Sequence, residues 1–355
     1  MRVVDSWMLS WGSSVSDGIG ILPAPGSGWS DVIANGQRAR LKRYVDAHVV
    51  AFGHARLLSW VPGEEEAEGR YRVGAAWAAL RPLRQPEHFK NLRLLRALNL
   101  AATLPCLIAK LRWGVPFVVN IGADYASVAR ARGGRAWKWA LLERVALRMA
   151  DGVIVRNEHL RARLAPLCRV TAGLIPNWVD LRVFRPLALT RPLDILYVGR
   201  LVAEKNLTVL AEACQIAGVR LCCAGEGPKR AELEALGVQC LGSVSWSALP
   251  SFINRAKIFA MVSLTEGHCK ALAEAMACGA CCLVSTEVKE GMRSAVNCHV
   301  VLPTGPEQMA YEIRWLLDHP GLRASLGREA RKTALGWAIK PVMEREIAVC
   351  LKVAR

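Results

Sequence analysis

The feature that most constrains this chain is a regular alternation of short apolar runs with helix-spaced segments over residues 194–317. Residues 194–198, 220–224, 238–241, 258–263 and 280–284 read as strands. Residues 207–217, 229–236, 249–256 and 271–278 read as helices, the last closed by Gly279 at its C-terminal cap, and 307–317 as a long amphipathic helix. The strand runs are apolar throughout instead of alternating in and out. They therefore belong to a parallel sheet covered on both faces, which predicts a Rossmann-like α/β domain.

The first half follows a looser α/β pattern. Residues 47–52, 115–120 and 152–155 read as strands, and 92–111 and 137–149 as helices. Gly12, Gly18, Gly20, Gly26 and Gly28 suggest long loops in the first 75 residues. At 355 residues there is chain enough for two cores. The stretch 182–193, with Pro186 and Pro192, reads as a hinge between them.

The formal net charge of +17 is uneven. Residues 1–188 hold 27 Lys and Arg against 14 Asp and Glu (+13), and residues 189–355 hold 20 against 16 (+4). A basic first half calls for an acidic partner: nucleic acid, an anionic membrane or a phosphorylated substrate. Arg81, Arg84, Lys90, Arg93 and Arg96 are candidates to lie against anionic lipid. The competing reading is the solvated face of a core helix carrying Leu92, Leu95 and Leu98. The longest apolar run, 97–109, is too short to span a bilayer, and residues 1–14 lack an apolar signal core. The expectation is a cytoplasmic protein, peripheral at most. The pairs Cys222–Cys223 and Cys281–Cys282 sit in strand-like runs, and the single CxxC at Cys278–Cys281 has no second pair at zinc spacing. The twelve cysteines therefore read as reduced core residues.

Ligands of open parallel sheets bind beyond the carboxyl ends of the strands. After 194–198 come Gly199, Arg200 and Lys205, a tight turn followed by two cations. After 220–224 comes the turn Gly225-Glu226-Gly227-Pro228. After 258–263 come Glu266, His268 and Lys270, then a helix whose first amides, near Ala271 and Leu272, favour an anion. Two cations facing a helix N-terminus make a diphosphate clamp. Glu266 and Glu274 are placed to accept hydrogen bonds from sugar hydroxyls on either side of it.

These residues resemble a known family. The run Tyr197-Val198-Gly199-Arg200-Leu201 with Glu204-Lys205-Asn206, the Gly225–Gly227 turn, and residues 266–279 look like retaining GT-B glycosyltransferases of family 4. Residues 175–180, with Phe184 and Pro186, are similar to that family's interdomain segment. The likeness covers roughly residues 115–330. It implies two Rossmann-like domains facing each other across a cleft: an acceptor-binding domain over 1–184, a nucleotide-sugar-binding domain over 185–335, and a C-terminal helix over 336–355 packing back toward the first. By the same resemblance Arg200 and Lys205 neutralise the leaving diphosphate of a UDP-sugar or GDP-sugar, and Glu266 holds the donor sugar. Glu274 would hold the ribose, while the amides near Lys270, Ala271 and Leu272 cradle the distal phosphate; His268 reads either as a donor contact or as a filler at the helix start, where the backbone does the binding. No metal or other cofactor is implied, because the cations stabilise the departing charge. Gly122 and Asp124 are the implied acceptor side, with Ile121 standing where many members carry a histidine. The implied acceptor is a glycan or lipid-linked molecule of surface polysaccharide or lipopolysaccharide synthesis.

The rival classes are weaker. A nucleic-acid binder would explain the charge, but the basic residues are not interleaved with aromatics in any recognised module. A sugar-nucleotide epimerase would use the same clamp, although the glutamate pair favours transfer. An NAD-dependent oxidoreductase would need a Gly-x-Gly-x-x-Gly turn leading a strand into a helix, and none is present.

Overall fold

The computed structural model describes residues 18–22, 38–58, 80–131, 133–266, 268–288, 291–302 and 305–354. The chain divides into two compact units, Met1–Ile175 with Met343–Arg355, and Pro176–Val342. Each is built on a six-stranded sheet with every pair parallel.

In the first unit the strands are β1 (Ile19–Leu22), β2 (Ala55–Leu57), β3 (Leu94–Ala97), β4 (Phe117–Ile121), β5 (Gly152–Val155) and β6 (Gly173–Leu174), in spatial order β2-β1-β3-β4-β5-β6. Two sequence expectations fail here. Residues 47–52 belong to the helix Arg38–Phe52, not to a strand. Tyr44, His48 and Phe52, four residues apart, form its buried stripe, while Val50 is 89% exposed. A helical stripe that packs outweighs the local β preference of Val49 and Val50. The expected helix over 92–111 is instead strand β3 followed by the helix Thr103–Trp113. Asn99 Oδ1 accepts from the Ala102 amide at 2.8 Å, and the Thr103 hydroxyl donates to Leu100 O at 2.6 Å, which fixes the turn between them. Of the loop glycines, Gly20 lies inside β1, and Gly12, Gly26 and Gly28 fall outside the described residues.

Arg96 therefore cannot face lipid: it sits in β3, wholly buried. Its guanidinium donates to Asn120 Oδ1 at 2.7 Å and pairs with Glu346 Oε2 at 3.4 Å. Glu346, on the helix Ile339–Leu351, also receives Arg156 Nη1 at 2.7 Å and the Tyr44 hydroxyl at 3.0 Å. Burial alone would raise the Glu346 pKa. The two guanidiniums, Arg156 foremost, more than offset that and hold it at about 2. This clamp fastens the chain's last helix, from Met343 on, to the first unit.

The second unit contains β7 (Leu193–Val198), β8 (Leu221–Ala224), β9 (Gln239–Gly242), β10 (Ala256–Met261), β11 (Cys282–Ser285) and β12 (His299–Val301), in order β12-β11-β10-β7-β8-β9. Read from the β9 edge this is the doubly wound order, with its switch point between β7 and β10. The helices Leu207–Ala217 and Pro306–Asp318 pack together, as do Lys270–Ala277 and Pro320–Leu335. Strand β12 and the helix Pro320–Leu335 have no counterpart among the sequence expectations. Residues 182–193 do not form a free hinge. Asn254 holds them against this unit, donating to Arg185 O at 3.0 Å and accepting from the Leu187 amide at 2.8 Å. The division falls earlier, between Ile175 and Pro176, and later returns at Met343 instead of at residue 336. All twelve cysteines are free thiols.

Candidate functional site

Strands β7 and β10 flank the switch point of the second unit, so the loops at their carboxyl ends border one crevice. The turn after β7 passes through Gly199 (φ 153°) and the turn after β8 through Gly225 (φ 150°). These backbones lie against each other: a Cβ on Gly225 would overlap the Gly199 carbonyl oxygen, and one on Gly227 the Leu201 carbonyl. Only glycine fits such an approach. Three bonds seal the layer: Gly199 N to Ala224 O at 3.0 Å, Leu201 N to Glu226 O at 2.9 Å, and Gly225 N to Gly242 O at 2.7 Å.

The chain then makes a short 3₁₀ turn, Ala203–Lys205, and places Lys205 opposite the β10 loop. Lys205 Nζ donates to Glu266 Oε2, joining the two sides of the switch point. Both side chains are largely buried, at 13% and 15% exposure. Ser263 Oγ donates to the same carboxylate oxygen at 3.2 Å, and Ser285 Oγ donates to Ser263 O at 2.6 Å, so β11 braces the loop. A backbone bond from Leu264 N to Glu204 O, 2.9 Å, ties the loops directly.

The helix Lys270–Ala277 starts beside this pair. Cys269 occupies its N-cap position and makes no side-chain cap bond. Its thiol is pushed up to about 12, by burial first and then by the Glu266 charge, against the opposing pull of Lys205 and the amides of Leu272 and Ala271. Among the described residues no side chain caps the first-turn amides, and a helix N-terminus of this kind favours an anion.

The expected site residues separate into groups. Lys205, Glu266 and the helix head come together. Arg200 stands apart: its side chain is 63% exposed and pairs with Glu204 Oε1 at 3.5 Å. Glu274 is buried and accepts from Trp246 Nε1 at 3.0 Å. Trp246, in the loop after β9, packs edge-on against Phe184 at 5.4 Å. It is not among the residues expected from sequence, although a lone Trp in the polar turn Ser243-Val244-Ser245-Trp246-Ser247 at a strand end is a usable signal. His268 is buried with its ring edge-on to Trp337 at 4.7 Å, and its carbonyl accepts from Asn177 Nδ2 at 2.5 Å. Gly267 lies outside the described residues.

In the first unit Gly122 and Asp124 follow β4. Asp124 Oδ1 accepts from the Ser127 amide at 3.0 Å, capping the helix Tyr125–Ala131, and Oδ2 lies 3.6 Å from Arg163 Nε. Burial would raise its pKa, but the Ser127 amide and Arg163 lower it below the ordinary carboxylate value.

Residues 183–333 match the family model described as glycosyl transferases group 1. One subunit of the Arabidopsis thaliana phosphatidylinositol N-acetylglucosaminyltransferase is 34% identical over 139 residues, which take in 35% of this chain and 30% of that protein. Its Homo sapiens counterpart is 35% identical over 138 residues, 35% of this chain and 28% of that one. The match thus spans less than a third of these relatives' length. The sucrose-phosphate synthase structure from Thermosynechococcus elongatus superposes with a TM-score of 0.79 at 17% identity, covering 94% of this chain and 98% of that one. Anabaena HepE in complex with UDP-glucose gives 0.71 at 17% identity, over 95% and 99%. Together with the two parallel sheets, these likenesses make the fold GT-B.

Proposed function

We propose that this protein is a metal-independent, retaining glycosyltransferase that moves a sugar from a UDP- or GDP-sugar to a lipid-linked acceptor. The observation that carries the reading is the Lys205–Glu266 pair astride the β7/β10 switch point, at the head of the Lys270–Ala277 helix and inside the matched stretch 183–333. An incoming diphosphate would take up the Lys205 ammonium, the amides of Ala271 and Leu272, and the long exposed side chain of Arg200. Glu266, released from part of its pairing, would accept hydrogen bonds from the donor sugar. Glu274 would receive the ribose beside Trp246. Negative charge building on the leaving diphosphate would be met by cations and amides already in place, which is where such a site lowers the barrier. The names of the two sequence relatives support a phosphatidylinositol-type acceptor and an N-acetylglucosaminyl donor. Surface polysaccharide or lipopolysaccharide assembly needs the same lipid-linked class, and Gly122 and Asp124 are the proposed acceptor side.

A thermal shift screen followed by a donor-hydrolysis assay tests this. Saturating UDP or GDP should stabilise the protein, by about 2.7 kcal/mol at a hundredfold excess over Kd, while NAD and duplex DNA should not. Radiolabelled sugar nucleotide should be slowly hydrolysed in EDTA with the product anomer retained. No shift with any nucleoside diphosphate would overturn the proposal; loss of turnover in EDTA or inversion of the anomer would overturn the finer points.

A further inference from the structure

The helix Ala136–Met149 carries an unusual outer face. Trp137 is 63% exposed, Leu141 56% and Val145 38%. Four residues apart, they form one stripe. Arg144 and Arg148 lie on the same face, and both are exposed. Lys138 Nζ sits 5.7 Å from the centre of the Trp137 ring. The only acid of the helix, Glu143, is turned inward and bonded to Arg163 at 2.8 and 2.9 Å. Trp139, on the inner side, stacks on Tyr125 at 5.5 Å. The helix is therefore anchored by its other face, and its outward Trp and Leu are not needed for packing.

We infer that this face docks on an anionic membrane, with Trp137 and Leu141 entering the headgroup boundary and Lys138, Arg144 and Arg148 meeting lipid phosphates. The pattern of apolar and aromatic groups flanked by cations, with no acid on the exposed side, complements a surface that is apolar below and negative above. A soluble protein partner would not require that every exposed charge have one sign. Among the described residues no helix is long and apolar enough to cross a membrane, so the contact is one of lying on the surface. The position suits a lipid acceptor. Arg163 bridges Glu143 on the inner side of this helix to Asp124 at the carboxyl edge of β4, which links the docking face to the proposed acceptor side. That purpose rests on the transferase reading; the docking surface itself does not. Of the residues expected from sequence to face lipid, Arg96 is buried in β3, whereas Arg84 and Lys90 are exposed.

The test is sedimentation of the full chain with vesicles of phosphatidylcholine alone and with about one third phosphatidylglycerol. Binding should be confined to the anionic vesicles. It should fall at least tenfold when salt is raised from about 0.05 to 0.5 M, and at least tenfold in W137S/L141S and in R144S/R148S. All four replaced side chains are exposed, so UDP-induced thermal stabilisation should persist in both variants. Retained UDP stabilisation without vesicle binding by the unaltered chain would overturn the docking proposal and leave the donor reading standing. Equal binding to neutral vesicles, or unchanged binding by both variants, would overturn it too. So would concentration-dependent self-association that W137S/L141S abolishes, which would make the stripe an interface between copies of this chain.

Discussion

Replacing Glu346 by alanine should unfasten the last helix and destabilise the first unit by about 3–5 kcal/mol. The size follows from what is left behind. Arg96 is wholly buried and Arg156 nearly so, and each would lose its carboxylate. The Tyr44 hydroxyl would lose its acceptor at 3.0 Å. The depressed carboxyl points to a similar size through its linkage to pH. A carboxyl held at about 2 against an ordinary 4.5 contributes roughly 3 kcal/mol at neutral pH. Because the folded pKa is depressed, this stability is present above the ordinary carboxylate value and is lost as pH falls from about 5 toward 2. The two units need not unfold together, so a single global transition is the wrong measure. Hydrogen exchange on peptides from 343–354 and from β3 and β4, run beside thermal melts, isolates the first unit. For a unit of this size the loss should appear as a fall of about 6–20 °C in its transition. Glu346→Gln keeps an acceptor for Tyr44 and should recover part of the loss, while losing sensitivity to acid between pH 5 and 2. Exchange in these peptides unchanged in Glu346→Ala, with a transition within about 1 °C of the parent, would refute the claim that the clamp holds the helix.

Lys205→Ala should lower turnover by about 10²–10³ with the protein still folded, read from kcat in the donor-hydrolysis assay; near-parental turnover would remove Lys205 from the proposed clamp. Glu274→Ala should lose most activity, and Trp246→Phe should raise the donor KM more than it lowers kcat, because the indole N–H that orients Glu274 is gone while the ring remains. Gly225→Ala should fail to give a stable second unit, since its Cβ would overlap the Gly199 carbonyl oxygen; a soluble variant with UDP stabilisation intact would contradict the close approach of those turns.

Legibility of the sequence tracks the range of the interactions that decide each element. In the second unit the strands are buried on both faces and the turns carry glycine, so local pattern and final structure agree: 207–217 matches the observed helix, and Gly199 and Gly225 mark the ends of β7 and β8. The first unit is harder because distant partners decide its elements. Arg96 lies in a strand only because Glu346, 250 residues away, neutralises it, and no local pattern announces such a partner. The helix Arg38–Phe52 is masked by Val49 and Val50, although Tyr44, His48 and Phe52 at spacing four are its visible signature. The run 92–111 is apolar enough to pass for one helix, and the polar pair Asn99 and Thr103, with Pro105 in the first turn of the later helix, is the local mark of the break. At the candidate site, residue types and their strand-end positions are legible, but pairing is not. Charge alone makes Arg200 and Lys205 equivalent, whereas the 3₁₀ turn between them sends one to solvent and the other across the switch point.

That asymmetry bears on how the proposed donor site can exist without its donor. A diphosphate site needs positive charge, yet an unpaired, largely buried ammonium would destabilise the loops that hold it. The Lys205–Glu266 pair resolves the conflict, since each charge neutralises the other until a ligand brings both phosphate and hydroxyls. Lysine has three donors and the carboxylate several acceptor sites, so neither must abandon the other to bind. Glu266→Gln should then leave the loops folded but weaken the sugar's hold more than the diphosphate's. UDP would keep its affinity while the sugar nucleotide lost its advantage over it. Equal weakening of both ligands, measured by titration calorimetry, would show that Glu266 serves only to position Lys205.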